Sequence, residues 1–332
     1  MNTKETFQRL YWLDWMKTIG IGLIVYVHFF SLYDIYACVF NVPLFFLISG
    51  FLCKKEPDTC TFWKKLWYNL MLPMVMMCTV NYLWAAFKWY CFSSGYAEPE
   101  NPLLFYGKVL IGLQWTIETL WFVYTLMILK IIFQYTRSDY FHVVWFLLFL
   151  SFAYVINNYD IEIMGMHPFK IPWSITNSFV SYPFFIIGYF MQKWKDKLSC
   201  YQANKYTFCW IIITLFLIFI CGHNHEYVSL YLCGYGDNMI LFLVGGLAGS
   251  AFVFFLSKLL EGFRWSIVTD ISVGTILILG LHVHFISFIR RFFVDPSIAD
   301  LFFTIIIVLL FVPIIRFCKS YIPIILGKYR LK

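Results

Sequence analysis

Charged side chains are scarce in this chain: Asp, Glu, Lys and Arg make up 13% of 332 residues, against 61% hydrophobic and 22% aromatic residues. A water-soluble domain of this length needs more polar surface, so the chain is expected to reside in a bilayer. Metal and redox cysteine spacings are missing too. Ten Cys are present but none forms a C-x-x-C, and Cys38, Cys53, Cys78, Cys209 and Cys318 fall in or at the ends of apolar runs, where Cys acts as a small hydrophobe. Cys91, Cys221 and Cys233 would lie near one face, and spacing alone assigns no pairing among them. No basic run interleaved with aromatics points to nucleic acid. Internal repeats, low-complexity runs and separately foldable polar blocks are absent, leaving one membrane domain over residues 1–332. The first apolar stretch lacks a small-residue cleavage pattern, so it is expected to be a retained span and not a signal peptide.

Apolar stretches of spanning length recur along the whole chain. They predict an all-α, polytopic transmembrane bundle of about ten spans: 18–37, 39–53, 67–89, 110–133, 141–157, 174–192, 206–222, 237–257, 271–290 and 300–318. Ten spans put both termini on one side. Assigning that side to the cytoplasm places 20 of the 25 Lys and Arg there, and leaves only Lys88, Lys108, Lys170, Arg290 and Arg291 outside. A bias of this size in short loops supports cytoplasmic N- and C-termini. It also accounts for most of the net charge of +7, which anionic membrane lipid would attract. The loops expected outside are longer: 90–109, 158–173 with Asp160, and 222–236 with His225 and Glu226. Long loops on one face of a bundle commonly shape an access route.

Polar residues inside this apolar background are few. Lys17 and His28 stand eleven positions apart in L-D-W-M-K-T-I-G-I-G-L-I-V-Y-V-H. Eleven steps of about 100° return to within roughly 20° of the starting direction and rise about 16 Å, so both side chains share one helix face. Asp14 falls within about 40° of that face. Intramembrane polar groups are costly and usually line a cavity or face a partner. An imidazole can serve as a general base near neutral pH, which suits His28 to that work, although an interior His bonded to a neighbouring helix is the plain alternative. Asp14 either orients Lys17 or is a solvated residue at the membrane edge. In F-N-V-P-L-F-F-L-I-S-G-F (40–51), Pro43 suits a helix start and Ser49 and Gly50 allow a close helix approach. Glu118 is an intramembrane carboxylate ahead of Trp121, either binding a ligand or paired with a Lys. His282 lies mid-helix, with His284 about 200° away. Arg290 and Arg291 break the charge pattern, as an outer anion site or as a snorkelling pair. The H-N-H-E run from His223 offers too few ligands for a metal, and none is expected.

L-D-x-x-K-(ten residues)-H at 13–28 followed by P-L-F-F-L-I-S-G-F at 43–51 resembles the acyltransferase-3 family of polytopic membrane enzymes. Further matches follow in order: Lys64 and Lys65 ahead of L-M-L-P at 70–73, L-W-F-V at 120–123, I-I-G-Y at 186–189 and L-I-L-G-L-H at 277–282. The resemblance implies transfer of an acyl group, often acetyl, from acyl-CoA to a hydroxyl of a carbohydrate or cell-surface polysaccharide precursor. It also implies a multi-pass protein of the plasma membrane, in bacteria the inner membrane, with no permanently bound cofactor. His28 is then base or acyl carrier, supported by Lys17 and Asp14. Lys17, Lys54, Lys55, Lys64 and Lys65 would meet the CoA phosphates, unless the last four serve topology alone. Asn41, Ser49, Glu118, Trp121 and His282 are the expected substrate-binding residues. Many relatives carry Arg at the position of Lys17, and Lys lacks the bidentate fork. Many carry His at the position of Asn41, which shifts weight onto His28. The alternative is a transporter or flippase for a glycan or lipid-linked intermediate, whose expected pairing of broken helices in two halves is absent. A polysaccharide polymerase would show carboxylates or arginines gathered in a large outer loop, and the loop acids here are scattered. The sequence leaves the oligomeric state open.

Overall fold

The computed structural model describes residues 9–92, 97–113, 118–159, 161–163, 166–223 and 228–327. Lys4, Lys328, Arg330, Lys332, Asp160, His225 and Glu226 lie outside the described residues. The chain folds as α-helices, because in lipid a helix satisfies its own backbone hydrogen bonds. In order these are α1 (Tyr11–Val27), α2 (Asp34–Cys38), α3 (Asn41–Phe51), α4 (Thr59–Leu66), α5 (Leu72–Phe92), α6 (Pro102–Ile111), α7 (Trp121–Tyr135) and α8 (Asp139–Asn158). They continue with α9 (Asn177–Met191), α10 (Lys195–Cys200), α11 (Lys205–His223), α12 (Met239–Leu260), α13 (Ser266–Val273), α14 (Thr275–Ile289) and α15 (Ala299–Tyr321). One two-residue hairpin, Val228–Ser229 with Gly234–Tyr235, is the β-sheet among the described residues.

Among the described residues, six helical stretches are long and apolar enough to cross a membrane, and a seventh results if α13 and α14, bent by 86° at their junction, count as one span. Several expected spans differ in detail. The stretch 18–37 is interrupted: α1 ends at Val27, and a turn through Phe30 and Tyr33, both at positive φ, leads into α2. The stretch 110–133 is broken at Gly112, a left-handed helix stop, and resumes as the fifteen-residue α7. Near 67–89 the helix is longer than expected, running from Thr59 to Phe92 through a π-helical turn at Trp67–Met71. The stretch 271–290 bends at Gly274, where a β-carbon would stand 2.2 Å from Ile315 Cδ1, so α15 can approach only a bare backbone.

α1 is the hub, packed against α3, α12, α13, α14 and α15. The tightest crossing is α3 on α9. A β-carbon on Gly50 would lie 1.7 Å from the Phe185 carbonyl oxygen, and one on Gly188 would lie 2.0 Å from that of Leu47. This small-residue contact is what Ser49-Gly50 predicts. One end of the bundle gathers the basic segments: Trp15 Nε1 donates to the Phe263 carbonyl at 3.1 Å, and Asp270 is bonded by Arg316 (2.7 Å) and Lys319 (2.6 Å). Lys65 pairs with Glu56 at 2.5 Å, and Gln192 Nε2 donates to the Phe51 carbonyl at 2.8 Å. All ten cysteines are free thiols, and Cys221 and Cys233 are buried.

Candidate active site

A cleft of about 910 Å³, its open mouth included, runs along α1 from the basic end. From α1 it is lined by Lys17, Ile21 and Ile24, the stripe that the eleven-residue spacing continues to His28. α3 adds Ser49, the π-helical turn adds Asn69, α7 adds Phe122 and Val123, and the α13–α14 junction adds Ser272 and Thr275. π-helical turns inside α-helices recur at functional sites, and here the widened turn presents Asn69. Because the chain bends at Gly274, the first turn of α14 starts at the cleft wall. Its leading N–H groups lack intrahelical partners and carry the positive end of the helix dipole. Lys17 and this helix start together give the mouth two features that favour an anion.

The carboxylate of Asp14, buried at the base of α1, accepts from Arg9 Nε at 2.5 Å and Nη2 at 3.1 Å, and from Ser272 Oγ at 2.6 Å. The bond to Asp14 holds the Arg9 pKa above its ordinary value. Asp14 thereby ties α1 to α13 beside the cleft.

At the far end of the stripe, His28 caps α1 and is half-buried. Its Nδ1 lies 2.7 Å from the Ile24 carbonyl oxygen, which can only accept, so in the neutral ring Nδ1 carries the proton. His282 of α14 is fully buried, and its Nδ1 lies 2.8 Å from the Ile278 and 3.1 Å from the Leu279 carbonyl oxygen, which fixes the same tautomer. The two imidazoles meet edge to face with centroids 4.7 Å apart. His282 Nε2 has no hydrogen-bond partner among the described residues. A buried polar atom left unpaired costs about 1–3 kcal/mol. Ile24 and Leu279 line the cleft, so the residues whose carbonyls hold both rings form part of its wall.

The other expected residues divide. Ser49 lies in the cleft wall with Lys17, whereas Lys54, Lys55, Lys64 and Lys65 do not line it. Lys55 donates to the Thr136 carbonyl and Lys65 pairs with Glu56, so both have structural employment at the basic end. Asn41 is buried at the start of α3, where its Oδ1 accepts from Val42 N at 2.7 Å. Trp121 opens α7 and packs on Phe46 and Tyr231, while its neighbour Phe122 enters the cleft. Glu118 opens a short 3-10 turn ahead of α7, and its side chain lies outside the described residues. Sequence reasoning missed Ser272, Asn69 and Thr275 in the cleft, and missed Asp300, a fully buried carboxylate on α15. A lone Asp at the edge of the last apolar run was the available signal for Asp300.

A helical membrane bundle in which two imidazoles meet edge to face, each held through Nδ1 by the carbonyl of a cleft-wall residue, has the makings of a membrane-embedded enzyme. The acyltransferase-3 family model, described as an acyltransferase domain, matches residues 10–317 of the chain. The chain belongs to that family and is a membrane acyltransferase, transferring groups other than aminoacyl groups. No curated protein and no solved structure matches it.

Proposed function

We propose that this acyltransferase moves a small acyl group, acetyl in the simplest case, from acyl-CoA to a hydroxyl of a carbohydrate or cell-surface polysaccharide precursor. The observation that carries the reading is the single stripe on α1 in which Lys17, Ile21 and Ile24 line the cleft and the Ile24 carbonyl holds the His28 ring one turn further on. The proposed topology has ten spans, counting α1, α7, α9 and the bent α13–α14 pair alongside the six long stretches, of which α2–α3 is one, with both termini in the cytoplasm and the protein in the plasma membrane. The basic end then faces the cytoplasm, where acyl-CoA is found. Lys17 and the α14 start hold phosphate oxygens, and the acyl thioester points toward His28.

In the direct route, His28 Nε2 removes the hydroxyl proton as the oxygen attacks the thioester carbon. The C–S bond then breaks, and the imidazolium returns the proton to the departing CoA sulfur. In the relayed route Nε2 attacks the thioester carbon and the C–S bond breaks to release CoA thiolate; the hydroxyl oxygen then attacks the acyl-imidazolium, the C–N bond breaks to restore the imidazole, and the hydroxyl proton neutralises the thiolate, a sequence that suits donor and acceptor arriving from opposite faces. Purified protein mixed with radiolabelled acetyl-CoA and a membrane glycan fraction tests the proposal. Label is expected to move from CoA to glycan, and label that stays on CoA with every hydroxyl acceptor would reject the assignment.

The assigned donor contact gives a separate expectation. Lys17→Ala should raise the KM for acetyl-CoA roughly tenfold, the worth of one charge-assisted hydrogen bond, with kcat little changed. Initial rates across a range of acetyl-CoA concentrations measure this. An unchanged KM would remove Lys17 from the donor site.

A further inference from the structure

Arg290 was open to two readings in the sequence, an outer anion site or a snorkelling cation, and the structure gives it a third place. Its Nη2 donates to the Phe29 carbonyl and, at 3.0 Å, to Asp300 Oδ2, and its guanidinium lies 5.0 Å from the centroid of the Phe29 ring. Its Nη1 bonds the Phe293 and Asp295 carbonyls at 3.2 Å each. Asp300 Oδ2 also accepts from Ser31 Oγ at 2.8 Å and from Ser297 N at 3.0 Å. Phe29 and Ser31 are the first and third residues after His28. The turn they form carries no glycine and no proline, yet holds Phe30 and Tyr33 at positive φ, a conformation that such side chains adopt only when their surroundings impose it.

We propose that the Arg290–Asp300 pair is a clamp that positions His28. It fixes the turn on which α1 ends, and so sets the direction of the His28 ring against His282 and the cleft. α14 therefore holds the imidazole at two points: His282 touches the ring, and Arg290 grips the following peptide. Ser31, Arg290 and Asp300 are positioning residues, and nothing in their geometry brings them to the reacting atoms. The proposal rests on the reading of His28 as base or acyl carrier.

Ser31→Ala is the cleanest test, because it removes one hydroxyl from the clamp and leaves the Arg290–Asp300 ion pair in place. Arg290→Gln is the stronger perturbation and strands a buried carboxylate, so it is expected to lose thermal stability as well. With Ser31→Ala, kcat for acetyl transfer should fall roughly tenfold to a hundredfold, the cost of misplacing a reacting group by about 1 Å, while the KM for acetyl-CoA and the melting temperature hold. Ser31→Thr, which keeps the hydroxyl, should restore kcat. The readout independent of activity is the rate at which diethyl pyrocarbonate modifies His28, followed by peptide mass. That rate should change several-fold in Ser31→Ala and return to the wild-type value in Ser31→Thr. A folded Ser31→Ala protein with wild-type kcat and a wild-type His28 modification rate overturns the clamp, and so does a lowered kcat with the His28 rate unmoved. If His28→Ala itself retains transfer, the functional reading fails, while the modification rates still decide whether the clamp sets the ring.

Discussion

His28→Ala is expected to abolish acyl transfer, lowering the rate by about 10²- to 10⁴-fold, the range a positioned general base contributes. The position makes this a test of chemistry more than of folding. His28 is half-buried at the end of α1, and its Nδ1 bond to the Ile24 carbonyl is local to the helix. The melting temperature of the variant, read beside its activity, separates loss of chemistry from loss of fold. Binding of acetyl-CoA should persist, because Lys17 and the α14 start lie at the mouth, about 16 Å along the helix from the imidazole. The measurement is label loss from acetyl-CoA by the purified variant, beside its melting temperature in the same detergent. Transfer at the wild-type rate would remove His28 from the mechanism.

Gly50→Val carries the largest expected structural effect. The approach of α3 to α9 leaves no room at position 50: any β-carbon falls inside the Phe185 peptide, and a backbone atom has no rotamer by which to withdraw. The two helices must separate, opening contacts among Leu47, Phe51 and Phe185 that are buried in the wild type. Overpacking of this kind costs about 3 kcal/mol or more when the obstacle is main chain. Thermal unfolding in detergent should show a large drop in Tm, with size-exclusion profiles moving toward aggregate. A variant that melts with the wild type would mean that the α3–α9 crossing is looser than described.

These two positions also mark what the sequence made readable. The Lys17–His28 stripe followed from helix geometry alone, and the close approach at Ser49-Gly50 followed from side-chain size. Both are local properties, fixed by spacing within one helix. The interruption after Val27 was hidden because Phe29, Phe30, Leu32 and Tyr33 continue the apolar run without a glycine or proline. What stops the helix there comes from α14 and α15, some 260 residues further along, through Arg290 and Asp300. The break at Gly112, by contrast, lay in plain view as a glycine stop inside 110–133. The four basic-loop lysines illustrate the opposite difficulty. Charge bias treats them only as a topological signal, and packing shows Lys55 on the Thr136 carbonyl and Lys65 on Glu56, away from the cleft. His282 was readable as a polar residue in an apolar helix, and its edge-to-face contact with His28 depends on how α14 docks on α1.

The bend at Gly274 links these observations. It brings the start of α14 to the cleft mouth, and one continuous helix then carries His282 to His28 and Arg290 to the turn beyond it. A single element thus shapes the proposed donor site, the imidazole pair and the clamp.

The most direct test of a thioester reaching His28 from the basic end is a structure of the protein bound to a ketone analogue of acetyl-CoA that cannot be cleaved. The expected result has phosphate oxygens beside Lys17 and the start of α14, and the analogue's carbonyl carbon next to His28 Nε2, within about 3–3.5 Å as near-attack geometry requires. An analogue seated elsewhere, with the His28 ring walled off from it by side chains, would contradict the account.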